Sequence, residues 1–84
     1  MIEFDPAKDA ANLAKHGVSM ALASEFEIDV VVPDRRRDYD EDRFNGFGLI
    51  DGRPYCLTFT VRDGRVRAIS LRRARTKEYQ RHAR

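Results

Sequence analysis

The stretch of sequence that decides the fold spans residues 44–73 and reads FNGFGLIDGRPYCLTFTVRDGRVRAISLRR. Two Asp-Gly pairs, Asp51-Gly52 and Asp63-Gly64, each lie between runs of residues that are typical of strands. Asp-Gly pairs favour two-residue hairpin turns, because both residues tolerate the positive φ that such turns require. The stretch therefore predicts a meander of three antiparallel strands.

Two-residue turns also fix which residues of the meander lie opposite each other. One face of the predicted sheet is then apolar in its middle and becomes polar where Tyr55 and Arg72 pair. Because Arg72 continues this packed face beyond the core, we expect its side chain to be held more firmly than that of a loop residue. The expected pairs are Val61 with Val66, Phe59 with Ala68, Leu57 with Ser70, Tyr55 with Arg72, and Phe44 with Phe59.

The region before the meander predicts two helices. Asp5 can cap the first helix, Pro6 suits its first position, and Gly17 can close its last turn in the left-handed conformation. Ser19 can cap the second helix. On the first helix, three polar residues share one side and four apolar residues share the other, which we expect to pack. The polar set is Lys8, Asn12 and Lys15, and the apolar set is Ala7, Ala10, Leu13 and Ala14.

Shorter elements complete the predicted α+β fold. Residues 2–4 can form a brief strand, and the β-branched residues 30–32 predict an edge strand that ends at Pro33. Thr76 can cap a final short helix, with Glu78 in its first turn where negative charge is favoured. We therefore predict N-terminal helices packed on a mainly antiparallel sheet, followed by a short C-terminal helix.

Length and composition exclude several classes of protein. The 84 residues suffice for one domain, spanning 1–84, near the lower limit for a self-sufficient core. Cys56 is the only cysteine, which excludes an internal disulfide, and two histidines provide no set that could close a zinc site. No signal-peptide pattern is present, and no apolar run approaches the ~20 residues that span a bilayer. We expect a cytoplasmic protein without a cofactor, a metal site or membrane contact.

Charge is distributed unevenly along the chain. Residues 1–42 contain eleven acidic and five basic side chains, a net charge of −6, whereas residues 43–84 contain three acidic and eleven basic side chains, a net charge of +8. Thirteen of the sixteen cationic residues are arginine, whose planar fork suits phosphate or carboxylate. The C-terminal half therefore predicts binding to a polyanion or to an acidic partner protein.

Several charged residues are candidates for chemistry. His16 and Lys15 lie at the end of the first helix, where cations also complement the helix dipole, a contribution of ~0.3–1 kcal/mol. Glu41 is either a proton acceptor or a neutralising partner for arginine. Tyr79 either donates to phosphate or anchors the last helix in the core, and the core is favoured.

The remaining candidates are cations that suit phosphate. Their alternative role is surface ion pairing with the acidic loop, typically worth ~0.2–1 kcal/mol for each pair. An exposed run of three arginines is nonspecific evidence for nucleic-acid binding. These candidates are Arg35, Arg36, Arg37, Arg73, Arg75 and Lys77.

Motifs spread over nearly the whole chain carry a family resemblance. They are Phe4-Asp5, Lys8, Asn12, Lys15-His16-Gly17-Val18, Glu41-x-Arg43, Gly48, Ile69-Ser70, Arg72-Arg73-Ala74 and Glu78. In these residues the chain resembles the BrnT toxins of bacterial type II toxin–antitoxin pairs, which share the fold of the RelE-type ribonucleases. The resemblance implies a RelE-like α+β fold over residues 1–84.

The resemblance also implies an activity and partners. The activity is endonucleolytic cleavage of cellular RNA, which inhibits growth and is suppressed by a BrnA-like antitoxin. DNA contact is expected only for the toxin–antitoxin complex, in autoregulation. The alternative, from the arginine content alone, is a noncatalytic module that binds nucleic acid or an acidic protein.

Metal-independent RNA cleavage sets requirements that the chain can meet. It needs a base for the ribose 2′ proton, an acid for the departing 5′ oxygen and cations for the charge at phosphorus, and it leaves a 2′,3′-cyclic phosphate. Either His16 or Glu41 would be the base. Lys15, Arg43 and Arg72 would stabilise the phosphate charge. The residues expected to hold the RNA are Lys8, Asn12, Arg35, Arg36, Arg37, Arg73, Arg75, Lys77 and Tyr79.

Overall fold

The computed structural model describes residues 2–35 and 41–83, so that the candidates Arg36 and Arg37 lie outside the described residues. The elements in chain order are β1 (Ile2–Glu3), α1 (Pro6–His16), a 3₁₀ helix (Met20–Glu25), β2 (Glu27–Pro33), β3 (Phe44–Ile50), β4 (Arg53–Arg62), β5 (Arg65–Arg73) and α2 (Thr76–Ala83).

These elements build one five-stranded sheet in the order β1-β5-β4-β3-β2. The short β1 runs parallel to β5, and all other neighbours are antiparallel. The prediction of an α+β fold with a mainly antiparallel sheet, an N-terminal helix and a short C-terminal helix is confirmed. None of the helices within residues 2–35 and 41–83 has the length and apolar character needed to cross a bilayer.

The two Asp-Gly turns form as predicted. Asp51 and Asp63 each have a φ of 52°, and Gly52 and Gly64 each have a φ of 75°. Positive φ at both central positions matches the twist of the strands that the turn joins. The meander β3-β4-β5 therefore follows directly from these two dipeptides.

The predicted register is confirmed only for part of the meander. Val61 lies opposite Val66, and Phe59 lies opposite both Ala68 and Phe44, with 5.6 Å between the two phenylalanine ring centroids. These pairs lie between the second turn and the middle of the sheet.

Beyond Phe59, the predicted pairs of Leu57 with Ser70 and Tyr55 with Arg72 are wrong. Thr58 pairs with Ser70, so that Ile69 is an extra residue in β5 and forms a bulge. The partners become Leu71 for Leu57 and Arg73 for Tyr55. Because a one-residue slip moves every following side chain to the other face, Arg73 takes the face predicted for Arg72.

The sheet carries apolar clusters on both faces. Leu57 and Cys56 are neighbours on β4 and therefore point in opposite directions. Leu57 belongs to the larger cluster with Met20 of the 3₁₀ helix and Leu71 of β5, and all three are fully buried. Cys56 belongs to a smaller cluster against which Tyr79 of α2 packs.

The predicted packing face of α1 is wrong. Ala7, Ala10 and Ala14 are exposed, and Leu13 is 51% exposed. The inward residue is Asn12, which is 6% exposed. The helix boundaries are nevertheless as predicted, because Asp5 accepts a bond from the Ala7 amide and Gly17 adopts a φ of 76° after the last turn. The caps set where the helix lies in the sequence but not which side faces the core.

Hydrogen bonding explains why a polar side of α1 faces inward. The strand β1 pairs with β5 only at Val66 and Arg67, which leaves the backbone of Leu71 on an edge that β1 does not reach. The Asn12 amide completes this edge, since it accepts from the Leu71 N–H at 3.1 Å and donates to the Leu71 carbonyl at 2.8 Å. Buried backbone groups require such partners, and the side-chain amide replaces a missing strand.

The remaining boundaries differ from prediction in detail. Ser19 caps a helix as predicted, but that helix is of the 3₁₀ type. The helix α2 begins at Thr76 itself, since the Arg75 carbonyl accepts from the Tyr79 amide at 2.9 Å. On the other side of the sheet, β2 is the edge strand as predicted, and it lies so close to β3 that a Cβ on Gly48 would fall 2.0 Å from the Glu27 carbonyl oxygen.

Candidate functional site

A cationic cavity of about 510 Å³ lies where β5 leads into α2. Its size falls in the range of ~300–1,000 Å³ that is typical of ligand sites. Five of the lining side chains are cationic and one is a carboxylate. The lining residues are Arg72, Arg73, Arg75, Lys77, Glu78 and Arg81.

Arg72 is held against Glu78 by two parallel hydrogen bonds. The Nη1 and Nη2 atoms of Arg72 donate to the two carboxylate oxygens of Glu78 at 2.9 Å and 2.8 Å. The hydrogen bonds from Arg72 are the largest cause of a lowered pKa of Glu78. A bidentate contact fixes the plane of a guanidinium group as well as its position. The bulge at Ile69 makes this contact possible, because it places Arg72 on the face that α2 covers.

The other cations of the cavity have no such partner. Within the described residues, neither Arg73, Arg75, Lys77 nor Arg81 forms an ion pair. The guanidinium carbon of Arg73 instead lies 5.6 Å from the centroid of the Tyr55 ring. Four like charges near one another favour a bound anion, because the one carboxylate of the cavity, that of Glu78, is already bonded to Arg72.

An imidazole lies at the end of α1 that packs against β5. His16 is half-buried, and Asn12, one helical turn before it, bonds to the backbone of Leu71, the residue that precedes Arg72. Burial is the largest cause of a lowered pKa of His16, and the charges of Lys15 and Arg72 lower it further. At neutral pH the uncharged imidazole is therefore favoured, and this is the form that accepts a proton.

Glu41 and Arg43 lie at the other end of the sheet. Glu41 bonds to Arg62 at 2.7 Å, and Arg62 ends β4 six residues after Cys56, the residue opposite Arg72. Six residues of strand span about 20 Å. The backbone of Arg43 lies at the same end as Glu41, since its carbonyl accepts from the Asp34 amide. The structure thus brings His16 and Arg72 together and places Glu41 elsewhere, in the neutralising role that was its alternative.

The residues predicted to hold RNA do not all lie at the cationic cavity. Asn12 is occupied by the backbone of Leu71, and the hydroxyl of Tyr79 donates to Asp29, which raises the pKa of Tyr79. Tyr79 therefore anchors α2 on β2. Lys8 is exposed on the same flank of α1 as Lys15, and Arg35 is exposed beyond β2.

Two lining residues of the cavity were not among the predicted site residues. The sequence identifies Glu78 as favourable charge in the first turn of a helix and as part of the family resemblance, and it does not single out Arg81. The spacing between them is the signal that could have found Arg81, since residues three apart on a helix are neighbours. Among the described residues, no group of three or more histidine, cysteine, aspartate or glutamate side chains is arranged to hold a metal ion.

The fold is a small α+β domain, and its cationic cavity and nearby imidazole have the charge and the proton-accepting chemistry that suit a phosphodiester. Residues 4–78 match the family described as the ribonuclease toxin BrnT of type II toxin–antitoxin systems. The chain belongs to the BrnT family, which makes it a ribonuclease toxin of a type II system with an antitoxin as its partner. Comparison with curated proteins and with solved structures gives no match.

Proposed function

We propose that this chain, as a single domain over residues 1–84, is a metal-independent endoribonuclease that cleaves cellular RNA in the cytoplasm and inhibits growth until a BrnA-like antitoxin neutralises it. The observation that carries the proposal is the cavity with five cationic side chains at the end of β5, the strand against which α1 and its last residue, His16, pack. A phosphodiester fits the charge of the cavity, and a neutral imidazole fits the proton transfer that cleavage requires.

The proposed reaction assigns His16 and Arg72 to the reacting phosphate. His16 takes the proton from the ribose 2′ hydroxyl, whose oxygen attacks phosphorus. The bond from phosphorus to the 5′ oxygen then breaks, and that oxygen leaves as a hydroxyl after it takes up a proton. The products are a 2′,3′-cyclic phosphate and a 5′ hydroxyl end. Arg72 and Lys15 stabilise the negative charge that develops at phosphorus.

The remaining cations of the cavity hold the neighbouring phosphates of the RNA in this proposal. Arg73, Arg75 and Lys77 are suited to this role because they have no ion pair within the described residues. Lys8 extends the same surface, since it lies two turns before Lys15, about 10 Å along α1. Glu41 takes no part in the reaction in this proposal, because its carboxylate bonds to Arg62 at the opposite end of the sheet.

The proposal includes two further partners, the antitoxin and DNA. A BrnA-like antitoxin that covers the cationic cavity would exclude RNA, and an acidic segment would satisfy the cations there. We further propose that DNA is contacted only by the toxin–antitoxin complex, in autoregulation.

The test is the chemistry of the RNA ends. Chelator-treated protein, freed of antitoxin, is incubated with RNA, and the fragments are analysed by mass spectrometry. We expect 2′,3′-cyclic phosphate and 5′ hydroxyl ends, and none from the His16→Gln variant. RNA that stays intact but binds with a log–log salt slope near ~0.7 per phosphate contact would instead identify a noncatalytic binding module.

A further inference from the structure

A second cavity, of about 530 Å³, opens beside the first hairpin turn. Its chemistry differs from that of the cationic cavity, because it combines apolar surface with two carboxylates and one guanidinium group. Ile50 and Tyr55 in its lining are nearly buried, at 5% and 8% exposed. The complete lining is Leu22, Glu25, Ile50, Asp51, Arg53 and Tyr55.

One contact between side chains links the two cavities. Arg73 lines the cationic cavity, and its guanidinium carbon lies 5.6 Å from the centroid of the Tyr55 ring, which lines the second cavity. A ligand that extends from the cationic cavity past Arg73 would therefore reach Tyr55 and the apolar and acidic residues beside it. A nucleotide has the matching order of parts, since its charged phosphate is joined to a flat base with polar edges.

We propose that the second cavity binds the nucleobase next to the phosphate held by the cationic cavity, and that it selects guanine. The inference rests on the proposed function and names the specificity of that same site. Ionised carboxylates only accept hydrogen bonds, and guanine presents two adjacent N–H donors on its Watson–Crick edge, which suit one carboxylate of Glu25 or Asp51. The apolar surface of Leu22 and Ile50 and the planar group of Arg53 suit the faces of the ring.

Two other occupants fit the lining less well. A phosphate would be repelled by Glu25 and Asp51. A lysine or arginine of a partner protein would be attracted by the same carboxylates, but Arg53 shares the cavity and repels it. A neutral, planar ligand with N–H donors avoids both conflicts.

The direct test measures binding to oligonucleotides that cannot be cleaved. The probes are 2′-O-methyl oligouridines with or without a single guanosine, because the methyl group blocks attack by the 2′ oxygen. We expect the full chain to bind the guanosine probe about tenfold or more tightly, as one good bidentate contact provides. The Glu25→Gln and Asp51→Asn variants together should lose this preference and keep their affinity for oligouridine.

The chain offers matched controls for both substitutions. Asp63→Asn changes the aspartate of the other Asp-Gly turn, which has the same φ of 52° but lies outside the cavity. Glu27→Gln changes an exposed glutamate two residues beyond Glu25. Both controls should retain the preference for guanosine.

Cleavage of RNA of mixed sequence provides the second measurement. Cuts should concentrate beside guanosine with the unaltered chain and spread over all bases with the double variant. If RNA is not cut but the guanosine probe is still preferred, the proposed function fails and the base site stands. No base preference, or one that the double variant keeps, overturns the inference. Weaker antitoxin binding by the double variant, without a change in base preference, overturns it as well and assigns the cavity to the partner protein.

Discussion

The two ends of the sheet contain the same kind of ion pair in different surroundings. At one end Arg72 bonds to Glu78 at 2.8 Å, and at the other Arg62 bonds to Glu41 at 2.7 Å. The Arg62 side chain is 58% exposed, against 36% for Arg72. Four further cations and His16 lie near Arg72, whereas the Arg62 pair lies at an exposed turn. The comparison indicates that neighbouring charges, rather than the ion pair itself, set the Arg72 end apart from a surface contact.

The largest effect expected from this comparison is on the two candidate bases. His16→Gln should lower the rate of RNA cleavage by about 10²–10⁴, the contribution typical of a general base. Glu41→Gln should leave the rate nearly unchanged, because Glu41 lies at the far end of the sheet. Single-turnover cleavage assays of both variants measure this. If Glu41→Gln slowed RNA cleavage and His16→Gln did not, the end of the sheet that carries Glu41 would be the active one.

The pH dependence of cleavage tests the same imidazole. Because burial and the charges of Lys15 and Arg72 lower the pKa of His16 below 6.5, the rate should rise with pH through a midpoint below 6.5 and then level off. Arg72→Lys keeps a positive charge there and should change the midpoint little. A midpoint well above 6.5 in the unaltered chain would contradict the role of a base held neutral.

The next effect concerns the arginines of the two ion pairs, Arg72 and Arg62. Arg72→Ala should lower the cleavage rate by about 10²–10³, as expected when one group that stabilises transition-state charge is lost. Arg62→Ala removes an equivalent contact at the other end and should change the rate little. The residual activity of Arg72→Ala should show a pH midpoint shifted upward, because one charge that lowers the pKa of His16 is gone. Equal rates for the two variants would mean that the surroundings of Arg72 are irrelevant to catalysis.

A smaller effect, on the free energy of unfolding, is expected where α1 contacts β5 close to Arg72. Asn12→Ala leaves the backbone groups of Leu71 without their partner and should lower the free energy of unfolding by about 1–3 kcal/mol. Leu13→Ala is the matched control, since Leu13 is 51% exposed and should cost less than about 0.5 kcal/mol. Urea denaturation measures both changes. Similar values for the two variants would mean that the inward face of α1 is assigned incorrectly.

The same residues show how far the sequence alone could predict this structure. The hairpins and the caps of α1 depend on single residues such as Asp51, Asp5 and Gly17, and they were predicted correctly because their causes are local. The bulge at Ile69 has no local signal, since an extra residue in a strand looks like any other. That one residue decided whether Arg72 or Arg73 would face α2.

The candidate site was predictable to a similar degree. His16 and the cations near Arg72 were identified from the sequence because they cluster at the ends of predicted elements. The packing face of α1 was assigned by hydrophobicity, and that rule failed because the shortness of β1 leaves a backbone edge that only a polar side chain can satisfy. The separation of Glu41 from His16 depends on strand length and tertiary contacts, which a motif does not contain.

The smallest expected effect is on stability, and it compares the carboxylates of the two ion pairs, Glu78 and Glu41. Arg72 lowers the pKa of Glu78 below 4.5, so that ionised Glu78 stabilises the folded state above that pH and its contribution is lost as the pH falls through the lowered pKa. Glu78→Gln should therefore cost less than about 1 kcal/mol at pH 7, the usual limit for partly exposed pairs, and progressively less as the pH falls below 4.5. Urea denaturation at pH 7 and at a series of pH values below 4.5, with Glu41→Gln as the matched variant, measures this loss. A cost for Glu78→Gln that stays unchanged throughout this acidic range would show that its role in orienting Arg72 does not depend on its charge.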